Sequence, residues 1–330
     1  MTKLGLRYDL RSFPGGTPLE AMYRAALDQC AWADDHGFSS VTISEHHGSE
    51  DGYCPSPLVL AGAVAARTER VRIMIAAVIL PLHDPLRIAE DAAVVDLISG
   101  GRLDLVIGAG YRPLEFAMFE KQSKQRGRAV EDGVALLRQA WTGEEFEARG
   151  TTVRVTPKPV QENGPTLILG GSSEIAARRA ARIGDGFIPA LPGLDEVYRA
   201  ECVKLGRDPG PAPGRAGPLF LYVAEDPDAA WAKIAPHALH EMNTYGAWQQ
   251  ESNAASGPYQ PIPDADMLRM TGLYEIVTPE ACIELINGLG PDGSVSFHPL
   301  MGGLDPDIGW AGLELFASAV IPHIQVTPPA

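Results

Sequence analysis

The stretch from Arg72 to Tyr111, RIMIAAVILPLHDPLRIAEDAAVVDLISGGRLDLVIGAGY, constrains the fold more than any other part of the chain. It reads as strand, loop, helix, turn, strand. Ile73 to Leu80 is an apolar, β-branched run ending at Pro81. Asp84-Pro85 then offers an N-cap with proline at the first helical position. Leu86, Ala89, Ala93, Val94 and Leu97 recur at near-helical spacing, and Ser99-Gly100-Gly101 supplies the glycine that lets a helix end in a left-handed turn. Leu103 to Ile107 is the second strand. Two apolar strands joined through a helix form a βαβ unit, so they are parallel neighbours buried on both faces.

With that unit as a ruler, strand candidates recur along the 330 residues: Leu4 to Leu10, Ser40 to Ser44, Ile73 to Leu80, Leu103 to Gly108, Thr166 to Leu169, Gly186 to Ala190, Leu219 to Ala224 and Ser294 to His298. Helical patterns fill most gaps, opened by Thr17-Pro18 with Glu20 as a capping box, Ser56-Pro57, Asp84-Pro85, Asp226-Pro227 and Thr278-Pro279. Eight parallel strands alternating with helices match an α/β fold of the closed (β/α)₈ TIM-barrel type, as one domain over residues 1–330. Two gaps exceed a simple crossover and read as insertions after strands 4 and 7. Residues 113–165 hold a helix around Gly127 to Trp141 and a hairpin from Phe146 to Val155. Residues 237–278 mix Tyr245, Trp248, Tyr259 and Tyr274 with turn formers, as a lid or a surface excursion would. The run from Asp208 to Gly214 is a connector.

Composition narrows the function. Forty-five per cent apolar and 21% charged residues indicate a substantial core, and 42 acidic against 27 basic side chains, a formal charge of -15, disfavour nucleic acid or an anionic membrane as partner. Cys30, Cys54, Cys202 and Cys282 lack a CxxC spacing and read as reduced thiols in a cytoplasmic protein. No apolar run reaches the length of a membrane span, and no secretory signal opens the chain.

In a barrel, chemistry sits at the carboxyl ends of the strands. The densest polar cluster there is Glu45-His46-His47. Adjacent side chains on a strand diverge, so His46 and His47 do not suit one metal ion, and no metal is expected. A general acid or hydrogen-bond donor is the functional reading, a satisfied structural histidine the bland one. His298 is a weaker candidate of the same kind, and His83 shapes a loop. Gly170-Gly171-Ser172-Ser173 lies between a strand and a helix beginning at Glu174, a place that binds phosphate through free backbone N–H groups, unless a serine merely caps the helix. Gly108 and Gly110 leave room for a flat ligand. The six lysines lie away from strand ends, which removes a Schiff-base aldolase, and neither Asp9 nor Glu225 has the partner a glycosidase needs. What remains is an organic cofactor carrying the chemistry.

Taken together, Glu45-His46-His47, Ala76-Ala77-Val78-Ile79-Leu80-Pro81, Pro85 with Ala89-Glu90, Leu97 to Arg102, Gly108 to Tyr111 and Gly170-Gly171-Ser172 resemble the bacterial luciferase-like monooxygenase family, with its relatives that use the deazaflavin coenzyme F420. The resemblance implies His46 as the active-site histidine beside the flavin, with His47 as its neighbour. It also implies a cis peptide at Ala76-Ala77 under the flavin ring, and Ser172 and Ser173 at the phosphate. The implied reaction is oxygenation of a small organic substrate through a flavin 4a-hydroperoxide, using reduced FMN from a separate reductase, in a homodimer. Hydride transfer with F420 is the alternative, and a non-catalytic flavin-binding protein the remote one. Many relatives carry a phosphate-holding arginine where this chain has Ala109. That departure leaves FMN against F420 open, with Arg112 as the candidate substitute.

Overall fold

The computed structural model describes residues 1–212, 214–252 and 258–328; Pro213 of the expected connector and residues 253–257 of the expected lid lie outside the described residues. The first half runs β1 (Lys3–Tyr8), α1 (Leu19–Asp35), β2 (Ser40–Ile43), α2 (Pro57–Ala65), β3 (Arg72–Ile79), α3 (Pro85–Ser99) and β4 (Leu103–Gly108). It continues with α4 (Pro113–Met118), α5 (Arg126–Ala140), β5 (Phe146–Ala148) and β6 (Thr151–Val153). Then come β7 (Thr166–Gly171), α6 (Glu174–Ile183), β8 (Gly186–Pro189), α7 (Leu194–Lys204), β9 (Phe220–Val223) and α8 (Pro227–Ser252). The chain finishes with α9 (Ala265–Met270), β10 (Tyr274–Val277), α10 (Pro279–Gly288), β11 (Ser294–Phe297) and α11 (Pro306–Ala319).

All eight expected strands form, and seven of them make one curled parallel sheet in the order β11-β1-β2-β3-β4-β7-β8. The eighth does not join this ladder, so closure of the barrel is not seen in the strand pairing of the described residues. β9 pairs in parallel with β10, a strand the sequence reading missed, through Phe220 beside Tyr274 and Val223 beside Val277. Among the described residues no ladder joins β8 to β9, and only an isolated bridge between Ala216 and Ser294 links the segment before β9 to β11. β5 and β6 form the expected antiparallel hairpin.

The start signals act through their side chains at Asp84, Ser173, Thr278 and Asp226, each accepting from a first-turn N–H. Thr17 and Ser56 do not: Pro18 is the N-cap of α1, without a side-chain bond, and neither is Ser56 bonded as a cap. Gly100 closes α3 with φ of 67°, where a side chain would be strained. The adjacent Arg102 is buried and donates to the carbonyls of Ser99, Val71 and Thr68 at 2.7 Å each and to that of Ala65 at 3.3 Å. It therefore ties the ends of α2 and α3 to the start of β4. On α3 the buried face is Ile88, Ala89, Ala92, Ala93 and Val95; Val94 and Leu97 of the expected stripe are exposed.

Residues 237–278 are more regular than a loop. α8 runs uninterrupted through Pro236 to Ser252, burying Ala235, Ala238, Met242 and Trp248. Proline ordinarily ends a helix, yet here the helix continues into the segment read as a lid or surface excursion. No helix among the described residues is long and apolar enough to cross a membrane.

Candidate active site

The segments that follow β1, β2 and β4, with α4 and α8, surround His46. His46 follows β2 in a loop, buried, its ring 4.9 Å from Tyr53, 5.6 Å from Tyr111, 6.0 Å from Tyr245 and 4.8 Å from Trp248. Its Nδ1 lies 2.7 Å from Oε1 of Glu115 on α4. A carboxylate only accepts, so the ring proton sits on Nδ1 and the Nε2 lone pair is left toward the aromatic cage. Burial lowers the His46 pKa below its ordinary value; Glu115 pulls it back, and the charges of Arg112 and Arg11 lower it further. The imidazole is thus neutral near pH 7, with a lone pair at Nε2 that can accept a proton. Burial alone would raise Glu115, but the His46 bond, the His47 N–H and Arg112 outweigh it and hold the carboxylate below its ordinary range.

His47 turns away from this cage. Its Nε2 meets Glu45 Oε1 at 2.7 Å, and His83 Nε2 meets the same oxygen at 2.6 Å, while Glu45 Oε2 accepts from the Ile79 N–H at 3.1 Å. One atom from each of Glu45, His47 and His83 lies within 4.8 Å of the others, a convergence that a metal ion would accept. In this arrangement both imidazoles already use those nitrogens on the carboxylate. The divergence of adjacent side chains holds, since His46 and His47 bond different carboxylates.

A second buried network lies on the other side. His298 meets Asp9 at 3.2 Å and Glu241 at 3.4 Å. Glu241 also pairs with Arg7 and accepts from the Tyr274 hydroxyl at 2.7 Å. Burial opposes charge on His298, but Asp9 and Glu241 hold its pKa above the ordinary value.

A cavity of about 570 Å³ opens beside Tyr111. Every residue expected at the cofactor except Ala76 lines it: Ala77, Gly108, Ala109, Gly110, Gly170, Gly171, Ser172 and Ser173. The Ala76–Ala77 peptide is cis, and the β3 ladder to β4 shifts register there. Gly108 and Gly110 line this cavity and also pack closely against β3. A Cβ on Gly110 would stand 2.7 Å from Ile79 Cγ2, and one on Gly108 would stand 3.0 Å from the Ala77 Cβ, so packing against β3 excludes a side chain there. Ser173 caps α6 through Ala176 at 3.3 Å, as the simpler reading had it, and Ser172 stays exposed. Lys124, Arg126 and Arg179 stand around the same turn.

Arg112 is not the substitute for the missing arginine. It is buried, donates to the His47 carbonyl at 2.8 Å and to Glu115 at 3.3 Å, and lies 4.0 Å over Trp248. Sequence reasoning also missed Glu115, because it sits one short helix beyond the strand end, and Arg11 and Glu241, whose burial has no local signature. Tyr111, at the end of the β4 motif, and Trp248 of the expected lid face His46; Tyr274 belongs to the Glu241 network.

A family model described as luciferase-like monooxygenase matches residues 8–290. An F420-dependent glucose-6-phosphate dehydrogenase of Nocardia farcinica is 31% identical over 264 residues, 72% of this chain and 78% of that protein. The oxygenase component of a flavin-dependent trigonelline monooxygenase of Acinetobacter baylyi is 23% identical over 288 residues, 79% of this chain and 74% of that protein. The crystal structure of the monooxygenase RslO1 of Streptomyces bottropensis superposes with a TM-score of 0.76 at 25% identity, over 98% of this chain and 99% of that one. The chain is an enzyme and belongs to the luciferase-like monooxygenase family, whose members use either a flavin or F420.

Proposed function

We propose that the protein is a cytoplasmic monooxygenase that takes reduced FMN and oxygen and oxygenates a small organic substrate, with His46 as the proton-accepting residue. The observation that carries this reading is the adjacency of two differently built spaces. The cavity of about 570 Å³ has a flat wall of Ala77 and Gly108 to Tyr111. At one end stand the α6 N-terminus, the exposed Ser172 hydroxyl and the cations Lys124, Arg126 and Arg179, donors whose chemistry suits a phosphate. Tyr111 joins this cavity to the cage around His46. When bound, reduced FMN supplies the electrons that activate oxygen. The chain's own part is to hold the ring on the flat wall, keep water out with Trp248 and Tyr245, and accept a substrate proton at His46 Nε2. Delivery by a separate reductase fits the relative named as an oxygenase component.

Hydride transfer with F420 is the second reading, favoured by the exposed Lys124 and Arg126, which suit a longer acidic tail than one phosphate. Fluorescence titration with FMN, anaerobically reduced FMN and F420 decides between them. Reduced FMN is expected to bind most tightly; tenfold tighter F420, or no FMN binding, overturns the reading. A homodimer through α2 and α3 is proposed from the exposed apolar side chains Val59, Val94, Leu97 and Ile98. Light scattering is expected to give twice the 35.2 kDa chain mass, and the Leu97→Glu, Ile98→Glu double variant a monomer.

A further inference from the structure

Arg11 is enclosed completely, yet Nη1 and Nη2 of its guanidinium have no hydrogen-bond partner among the described residues. Nε donates to Asp51 Oδ2 at 2.8 Å, and Asp9 Oδ2 stands 4.0 Å from Nη1. Three rings face the guanidinium carbon: Tyr53 at 5.1 Å, Tyr245 at 4.8 Å and Trp248 at 5.0 Å. These are the rings that also surround His46.

The chemistry of the cage limits what it accepts. Aromatic faces attract a cation but offer no in-plane lone pair, and a buried donor without an acceptor is costly. The charge of Arg11 is already balanced by Asp51, with Asp9 nearby, so a further anion is not required. The missing element is an acceptor oxygen without charge, carried on a flat apolar body that fits between aromatic walls. The Tyr53 and Tyr245 hydroxyls, 2.7 Å apart, close the cage on one side. Tyr245 and Trp248 both belong to α8, and a ring beside His46 would require these two side chains to turn aside.

We propose that Arg11, with Tyr53, Tyr245 and Trp248, forms the substrate subsite, and that it takes a planar aromatic molecule whose neutral oxygen, as in a ketone, quinone or phenol, accepts from Nη1 and Nη2. The inference rests on the reading of His46 as the residue beside the reacting atom, and names the substrate class for that site. Arg11 positions the substrate and takes no part in bond making.

The test uses the whole protein and three probes of one shape: 1-indanone, indane, and indane-1-carboxylate, with binding read by quenching of tryptophan fluorescence. The wild type is expected to bind 1-indanone at least tenfold more tightly than indane and more tightly than the carboxylate. Arg11→Lys keeps a positive charge for Asp51 but has no nitrogen at the Nη1 and Nη2 positions and no fixed fork of donors, and is expected to bring indanone within threefold of indane. Equal binding of indanone and indane, a preference for the carboxylate, or an undiminished preference in Arg11→Lys overturns the proposal. The wild-type comparison needs no variant, so it decides even where Arg11→Lys does not fold. An FMN titration run alongside reads the cofactor cavity separately: lost FMN binding with an intact indanone preference counts against the monooxygenase reading alone.

Discussion

Replacing Glu115 by glutamine tests the state of His46 most directly. The carboxylate is wholly buried, and its Oε1 accepts from His46 at 2.7 Å, from the His47 N–H at 3.0 Å and from Arg112 at 3.3 Å. Glutamine keeps the shape and one acceptor oxygen but removes the charge. Its amide nitrogen would stand where Oε2 has no partner among the described residues. Two effects follow, and they are measured separately. Arg112, buried, loses its carboxylate. Breaking a buried pair by removing one member costs about 3–5 kcal/mol. The stacking of Arg112 on Trp248 survives, and a desolvated contact of that kind is worth about 2 kcal/mol, so the lower end, about 3 kcal/mol, is expected. Equilibrium urea unfolding reads this as a lower midpoint at unchanged slope.

The second effect falls on His46. Without the Glu115 charge the imidazolium loses the group that offsets burial, so the pKa drops further below its ordinary value. A neutral amide oxygen is a weaker acceptor than the carboxylate, so the proton is held less firmly on Nδ1. Nitrogen-15 spectra of the ring should show the Nδ1-protonated tautomer in the wild type and a mixture in Glu115→Gln. Loss of the positioned base is expected to slow turnover by about 10²–10⁴-fold. A wild-type spectrum with the proton on Nε2, or a variant as stable as the wild type, refutes the reasoning.

Three further outcomes are expected. Arg102→Ala removes a buried guanidinium from four carbonyls, and urea unfolding should show a loss of about 3–5 kcal/mol with cofactor binding retained in the folded protein. His298 has its folded-state pKa raised, so its charge stabilises the fold fully below the unfolded value of about 6.5 and the benefit is lost as pH rises through the folded value. The stability difference between wild type and His298→Asn should therefore be largest on the acidic side and shrink with rising pH; a difference that grows with pH contradicts the assignment. Ala109→Arg adds a cation to the cavity wall, and a charged hydrogen bond of about 1.5–3 kcal/mol should tighten FMN binding at least tenfold, an effect that added salt weakens.

Much of the scaffold was legible because its signals are local. Asp84-Pro85 and Gly100 bound α3 as their side-chain chemistry requires, and all eight strands lie where apolar, β-branched runs stand. Where local signals conflict, the reading failed. The turn formers of residues 237–278 masked the continuation of α8, and the four residues Tyr274–Val277 are too short to stand out until β9 is beside them. The motif at Ser99 to Arg102 was recognisable although it lies at the opposite end of the strands from His46, because tying α2 and α3 together imposes its own sequence requirement.

Sequence alone determined most of the strand and helix succession, the family, the histidine at the second strand end and the glycine and serine turns that line the cavity. Only the tertiary structure decided what those residues do. His46 meets Glu115 across 69 positions, and His298 meets Asp9 across 289. Such pairs leave no periodic trace in the chain, yet they set which nitrogen carries a proton and which charge is balanced. The same holds for Arg11 and Arg112, unremarkable in the sequence. Burial turned one into a donor lacking an acceptor and the other into the partner of Glu115.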